Sequence, residues 1–350
     1  MAIVHDQQMD MSQDAAPRLD PWPEARDWKG PVYDPRHYKA RRLKSLLRRP
    51  LLPIYSLAAP RAGETLRVLI ADDGSALAYF QELIAPEGPK AARVGAIPSF
   101  LAPRLASADF DVVIIAANQY LLPLYGGERF HHIPKYVRSF LPVRDHPDAM
   151  LRSMTGEAAN ALRRNVRKAL SAGFTCELTS DPSWFDSFYF DTYRPFVLQR
   201  FQDSAVVDDY GRLKDVFVQG FGLVLKRDTE TVGGALMTVR DGVLYLFRVG
   251  MLDGDKATRD GASSALYYFA VLVARAWGCA GVDFGHSRPF LSDGVLRYKT
   301  KWGAKPLDVD DGVGLFALAT PNGTPQAMRF VTDNPFYEMK NGRIVLCDEV

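Results

Sequence analysis

Hydrophobic and polar residues alternate along this chain in two registers, one of period two and one near 3.6, and the switches between them mark its elements. Regular alternation begins at "TLRVLIADDG" (65–74), which predicts a strand closed by a turn. "SALAYFQELIA" (75–85) follows with helical spacing of Leu77, Phe80 and Leu83. In "DFDVVIIAANQYLLPLYG" (109–126) the run Val112 to Ala116 predicts a buried strand, and "HHIPKYVRSFLPV" (131–143) reads as extended chain punctuated by proline. "TGEAANALRRNVRKALSAGF" (155–174) predicts a helix with Leu162, Val166, Ala169 and Leu170 on one stripe. Thr155 is its expected N-cap, Glu157 suits the positive end of its dipole, and Gly173 stands where it should stop. A second helical pattern, 184–201, is interrupted at Pro195.

The order then becomes regular. "FGLVLKRD" (221–228) predicts a strand, and 231–252 predicts two more joined at Arg240-Asp241-Gly242, a strong hairpin signal. "DGASSALYYFAVLVARAWG" (260–278) is apolar nearly all round, a buried helix stopped by Gly278, and "CAGVDFG" (279–285) is a short buried strand. Further strand material lies at 307–320, and the turn-rich tail 321–350 is expected to drape over the body. Three antiparallel strands, a helix and another strand make β-β-β-α-β, an open-sheet arrangement in which ligands bind beyond strand ends and helix N-termini receive anions.

Composition narrows this picture only modestly. The 350 residues are 47% hydrophobic and 24% charged with a net charge of +2, ordinary for a globular protein and without a bulk charge that would dictate a polyanionic partner. Cys176, Cys279 and Cys347 fit no Cys-x-x-Cys pattern and suit a reducing compartment. No stretch has the roughly 20 apolar residues that span a bilayer, and the N-terminus lacks the basic-then-apolar order of a secretory signal, so a cytoplasmic location is expected. Residues 1–33 read as a loosely draped arm. The segment 36–60 concentrates Arg36, Lys39, Arg41, Arg42, Lys44, Arg48 and Arg49 among leucines. It reads either as a solvated helix with a Pro-kinked linker or as a basic piece for anionic lipid or RNA phosphates, a weak peripheral contact with the inner face of a membrane.

Chemistry concentrates in "DFGHSRPFLSDGVLRYKTKWGAKP" (283–306), which sets Asp283, His286, Ser287, Arg288 and Lys299 among Phe284, Phe290, Tyr298 and Trp302. Aromatic walls with polar groups at a strand edge are expected to border a cleft for a charged ligand. Gly261, Ala262, Ser263 and Ser264 open the buried helix with small side chains that leave backbone N–H groups accessible to phosphate, with Lys256 and Arg259 just ahead. Arg163, Arg164, Arg167 and Lys168 line a second helix, as a phosphate grip or a solvated face, and Arg248 lies on a strand beside the expected cleft. Adjacent His131 and His132 point to opposite faces of a strand, and no metal-ligand spacing emerges.

The order of elements resembles the GNAT acyltransferase fold. Three pieces together, "LRRNVRKALSAGF" (162–174), "VGGALMTVRDGVLYLFRVG" (232–250) and "GVDFGHSRPFLSDGVLRYKTKWGA" (281–304), resemble the subgroup of FemAB-like aminoacyltransferases and CelD-like acetyltransferases. The resemblance covers roughly 155–306 and implies a mixed α/β fold of two tandem GNAT-like units, the second complete and the first degenerate. It implies an arm at 1–60, a degenerate half at 61–154, the acyltransferase domain at 155–320 and a tail at 321–350.

It further implies transfer of an acyl group, acetyl as the simplest, from acyl-CoA as co-substrate to an amine or hydroxyl, with no permanently bound cofactor. The acceptor would be a small molecule or a cell-envelope or polysaccharide precursor. Asp283, His286, Lys299 and Tyr298 are the expected catalytic residues. Arg248, Arg259, Gly261, Ala262, Ser263 and Ser264 would bind the donor, and Arg163, Arg167, Ser287, Arg288 and Trp302 the acceptor. In Arg259-Asp260-Gly261-Ala262 the arginine stands one place closer than in the acyl-CoA signature. That leaves open a FemAB-like transferase using aminoacyl-tRNA, and a third reading is a GNAT-like module that binds without catalysis.

Overall fold

The structure, a computed structural model, describes residues 51–347 apart from 62, 73, 75–76, 108, 118–123, 126–128, 203–204, 253–260 and 308–313. In chain order β1 (Leu51–Arg61), β2 (Glu64–Ala71), α1 (Leu77–Ile84), β3 (Ala92–Pro98), β4 (Val112–Ala117), β5 (His131–Pro134) and β6 (Val137–Pro142) come first. Helices α2 (Pro147–Ser153) and α3 (Glu157–Ser171) lead to β7 (Phe174–Thr179), then to α4 (Pro182–Ser187), a π-helical turn (Phe188–Tyr193), α5 (Arg194–Phe201) and α6 (Tyr210–Val218). Strands β8 (Phe221–Arg227), β9 (Glu230–Arg240) and β10 (Val243–Met251) precede α7 (Ala262–Ala276), β11 (Gly281–Ser287) and α8 (Gly294–Lys301). The chain continues through β12 (Lys305–Leu307), β13 (Leu315–Ala319), α9 (Pro325–Asp333), β14 (Phe336–Lys340) and β15 (Arg343–Cys347).

These elements form two compact units. Unit 1 holds Ser139–Gly285 and Tyr298–Lys305; unit 2 holds the described residues up to Arg138, His286–Arg297 and those from Pro306 onward. The units are therefore not consecutive halves, as the sequence had suggested. The reason lies in strand pairing. β13 runs antiparallel to both β4 and β5 in the sheet β3-β1-β2-β4-β13-β5, and α9 adds Ala327, Phe330 and Val331 to the unit 2 core. The expected tail is part of that unit. Residues 51–60, expected as a kinked linker, are the strand β1 between β2 and β3. The basic residues at 36–49 lie outside the described residues.

Unit 1 is built on the sheet β12-β6-β11-β10-β9-β8-β7. From β7 to β10 neighbours are antiparallel; β10 and β11 run parallel, with α7 crossing between them. This is the β-β-β-α-β order expected from the sequence, on a mixed α/β fold. Asp241 (φ 50°) and Gly242 (φ 69°) make the hairpin turn between β9 and β10, a left-handed pair suited to a two-residue turn. Helix α7 buries Leu266, Tyr268, Phe269, Val271 and Val273 completely, each worth about 1.5–3 kcal/mol of transfer free energy. That depth explains a helix without a polar face. Helix α3 buries Ala159, Leu162, Val166 and Ala169 as expected, but its N-cap is Gly156, with no side-chain cap, rather than Thr155.

The middle of β10 is shaped by close approach. Its register with β9 shifts between Leu246 and Arg248, and a side chain at Gly250 would meet the Tyr193 backbone at 2.7 Å in the π-helical turn. Gly250→Ala must therefore push that turn away and should lower unfolding free energy by about 1–3 kcal/mol, measured by urea denaturation; an unchanged midpoint would show the turn to be yielding.

Candidate functional site

Strands β10 and β11 pair through only three residues, Val243–Gly281, Leu244–Val282 and Tyr245–Asp283, and their pairing ends there although both strands continue. At the exit stands Gly285 with φ 72°, where a Cβ would come within 3.4 Å of the Leu246 carbonyl. The Gly285 peptide groups are held from both sides. Asp283 Oδ1 accepts from Gly285 N at 2.7 Å, and Lys299 Nζ of α8 donates to Gly285 O at 3.0 Å. Asp283 and Lys299 are only 1% and 3% exposed. Charged groups that deep are retained where their hydrogen bonds are met, and here they fix the backbone at the place where the two strands separate.

The start of α7 lies in the same unit. Gly261 adopts φ 94° as its N-cap, and a Cβ there would sit 3.2 Å from both the Ala169 side chain and the Asn165 carbonyl of α3. Among the described residues no side chain caps this end, so none of them gives the first-turn amides the side-chain acceptor that many helices carry. Ala262 and Ser264 are buried and Ser263 is half-buried. Ser264 Oγ lies 3.0 Å from the Tyr298 hydroxyl, which ties α8 to the first turn of α7. Burial raises the Tyr298 hydroxyl above the ordinary tyrosine range, with Ser264 offsetting it only in part. Tyr298 and Ser264 share one hydrogen bond in which either hydroxyl can donate. Arg200 of α5, unmarked in the sequence reading, adds positive potential at the hydroxyls of both Tyr267 and Tyr298.

The aromatics expected as cleft walls are core. Trp302 is fully buried, and Tyr267 packs against Phe284, Tyr298 and Trp302 at ring separations of 4.6, 5.0 and 5.9 Å. Trp302 therefore supports the α7–α8 contact from behind instead of presenting a face to an acceptor. Phe290 belongs to unit 2, where it packs on Phe80, Tyr79 and Phe336.

A second polar cluster was not legible in the sequence. Arg248, at the β10 bulge, donates from Nε to Asp208 Oδ2 and from Nη1 to the Phe247 carbonyl at 2.6 Å. Asp208, 8% exposed, also accepts from Arg212 Nη1 at 3.0 Å and from the Tyr193 hydroxyl at 3.1 Å. Burial alone would raise the Asp208 carboxyl. The hydrogen bond and charge of Arg248, with Arg212 and Tyr193, outweigh it and hold the carboxyl below its ordinary range. Arg248 is thus committed to Asp208 instead of standing ready for a donor phosphate.

The remaining sequence candidates divide. Arg163 donates to the Leu151 and Met154 carbonyls, both at 2.7 Å, and to Asn160, so it closes the end of α2 and does not grip a ligand. Arg167 is exposed on α3. Arg259 lies outside the described residues. His286, Ser287 and Arg288 fall in unit 2. There His286 is exposed, its ring edge-on to Tyr136 at 6.0 Å, and the Arg288 guanidinium is sandwiched between the Tyr79 and Tyr136 rings at 4.6 Å from each. Ser287 is buried, and its Oγ has no hydrogen-bond partner among the described residues.

No family model matches the sequence, and no curated protein matches it. Among solved structures the chain is similar to FemX, at 14% identity and TM-score 0.41 over 75% of this chain and 88% of that one. It is similar to the C-terminal domain (DUF2156) of a putative lysylphosphatidylglycerol synthetase from Agrobacterium fabrum, at 12% identity and TM-score 0.38 over 81% and 84%. A tandem GNAT protein from the clavulanic acid biosynthesis pathway matches at 11% identity and TM-score 0.35 over 76% and 82%. At this level of identity and superposition such likenesses assign no residue and no activity. What unit 1 itself shows is the β-β-β-α-β element order on a mixed sheet.

Asp208→Asn leaves Arg248 without its countercharge in a half-buried position and should cost about 3 kcal/mol at neutral pH. Because the folded carboxyl titrates below its unfolded value of 3.8, that contribution is full above about pH 5 and is lost as pH falls through the folded value. Unfolding free energies of wild type and variant should therefore converge on acidification; a gap independent of pH would show that the charge is not what stabilises the cluster.

Proposed function

We propose that the chain is an acyltransferase that moves an acyl group, acetyl as the simplest, from acyl-CoA to an amine or hydroxyl acceptor. The observation that carries this reading is the Ser264–Tyr298 hydrogen bond, which holds a phenol hydroxyl on the first turn of α7, where no described side chain caps the helix, in the same unit as the strand parting at Gly285. The amides of that turn, with the positive end of the α7 dipole, suit the pyrophosphate of the donor. The side chains of Ala262 and Ser263 are small, so they add little bulk around those amides.

The chemistry balances with groups of this chain. The acceptor nitrogen or oxygen attacks the thioester carbonyl, a C–N or C–O bond forms and the C–S bond breaks. The departing thiolate takes the Tyr298 proton, and the proton released by the acceptor restores the hydroxyl through solvent. Asp283 and Lys299 act as positioning residues through the Gly285 peptide. General acid catalysis of this kind contributes typically 100-fold or more.

Coenzyme A alone should raise the thermal midpoint of the full chain. Tyr298→Phe should lower turnover with acetyl-CoA by roughly 100-fold while leaving the KM for acetyl-CoA nearly unchanged. A folded chain that neither CoA nor acetyl-CoA stabilises would overturn the reading. Salt-sensitive stabilisation by aminoacyl-tRNA in its place would move the donor to that class.

A further inference from the structure

One cluster in unit 2 has no part in the transfer chemistry and does not depend on that reading. Strand β14 alternates as a half-buried strand should, with Phe336 and Glu338 inward and Tyr337 and Met339 less buried. An inward glutamate, 2% exposed, stands where the pattern calls for an apolar residue. Cys347 of β15 pairs with Phe336 and is 4% exposed, and His131 of β5 reaches the same place, edge-on to the Phe336 ring at 5.5 Å. His131 Nδ1 lies 3.0 Å from Glu338 Oε2 and 3.8 Å from Cys347 Sγ, and the three ligand atoms all fall within 4.8 Å of one another.

Two kinds of chemistry use a thiol, an imidazole and a carboxylate. In a nucleophilic relay the thiol and the carboxylate must occupy different ring nitrogens, because a single nitrogen cannot both take the thiol proton and give one to the acid. Here both approach Nδ1. That geometry argues against a relay and describes three donors facing one point. A zinc-class ion bound at about 2.0–2.3 Å sets its nitrogen, oxygen and sulfur ligands roughly 3.3–3.7 Å apart. The observed separations bracket those edges, so small side-chain adjustments would close the set.

We propose that His131, Glu338 and Cys347 form a binding site for a zinc-class divalent cation. Binding replaces the thiol proton of Cys347, which leaves to solvent, and uses the Nδ1 lone pair of His131 with its proton on Nε2. Lys340 Nζ lies 2.5 Å from Glu338 Oε1 on a side chain that is 63% exposed. Its ammonium supplies positive charge to the buried carboxylate and yields it when the ion arrives, so Lys340 competes with the metal. With three protein ligands the ion keeps one position for water. None of this is visible in local sequence spacing, since the donors come from positions 131, 338 and 347.

The test uses the full chain, freed of metal with a chelator and then given Zn²⁺ alone. One ion per chain should remain after gel filtration and be measurable by competition with a chromophoric chelator. Cys347→Ser, His131→Ala and the near-isosteric Glu338→Gln should each weaken binding by about 100-fold or more, and Lys340→Met should strengthen it. Co²⁺ in the wild-type chain should show a thiolate charge-transfer band that Cys347→Ser abolishes and Cys176→Ser and Cys279→Ser retain. The band is read on unmutated protein, so it stands even if a ligand variant fails to fold. Absence of that band in folded wild type, no retained zinc, or equal retention by the Cys347 and His131 variants would overturn the proposal.

Discussion

The constraint on which unit 1 depends is the short parallel contact between β10 and β11. Three residue pairs hold the strands together, and beyond Tyr245 and Asp283 they share no further pairing. Strand edges left unpaired inside a unit expose backbone donors and acceptors that must be met in some other way. The sequence meets this at one residue. Gly285 takes a left-handed conformation, its N–H satisfied by Asp283 and its carbonyl by Lys299. A buried acid and a buried base are thus set on a peptide group, a use that explains their depth better than direct attack on a substrate.

The same economy governs the surrounding polar groups. Ser264 and Tyr298 join α7 to α8, and Tyr267, Phe284 and Trp302 pack behind them. Arg248 sits at the β10 bulge and is matched by Asp208, which in turn gathers Arg212 and Tyr193. The π-helical turn Phe188–Tyr193 delivers Tyr193 to that cluster, while Gly250 gives its backbone room. π-Helical turns are rare and appear mostly as single-turn bulges within α-helices, and this one brings the Tyr193 hydroxyl to the buried Asp208 carboxylate.

Much of the architecture was legible in the pattern of residues. The buried strand at Val112, the Asp241-Gly242 hairpin, the apolar helix α7 and the order β8-β9-β10-α7-β11 all follow from periodicity and turn chemistry, because local rules decide them. What stayed hidden depends on pairing at long range. Nothing local shows that β13 inserts between β4 and β5, so the boundary of the units could not be read. Helix α8 is hard to see in the sequence because the dense mixture of charged and aromatic residues in 283–306 blurs its helical period. Of the expected site residues in unit 1, Ser264 meets Tyr298, while Asp283 and Lys299 meet the two sides of the Gly285 peptide. Arg163 and Trp302 turn out to be structural, since composition says that an arginine or a tryptophan is present but not which carbonyl or ring it meets.

The central claim is that the first turn of α7, which no described side chain caps, receives the phosphates of a coenzyme A donor. Amide hydrogen exchange at Ala262, Ser263 and Ser264, resolved residue by residue by NMR, addresses it directly, because first-turn amides have no partner within their own helix. Saturating coenzyme A should slow exchange at these three positions, with a smaller effect at Gly285. Coenzyme A bound with these amides unchanged would place the donor elsewhere and contradict the account.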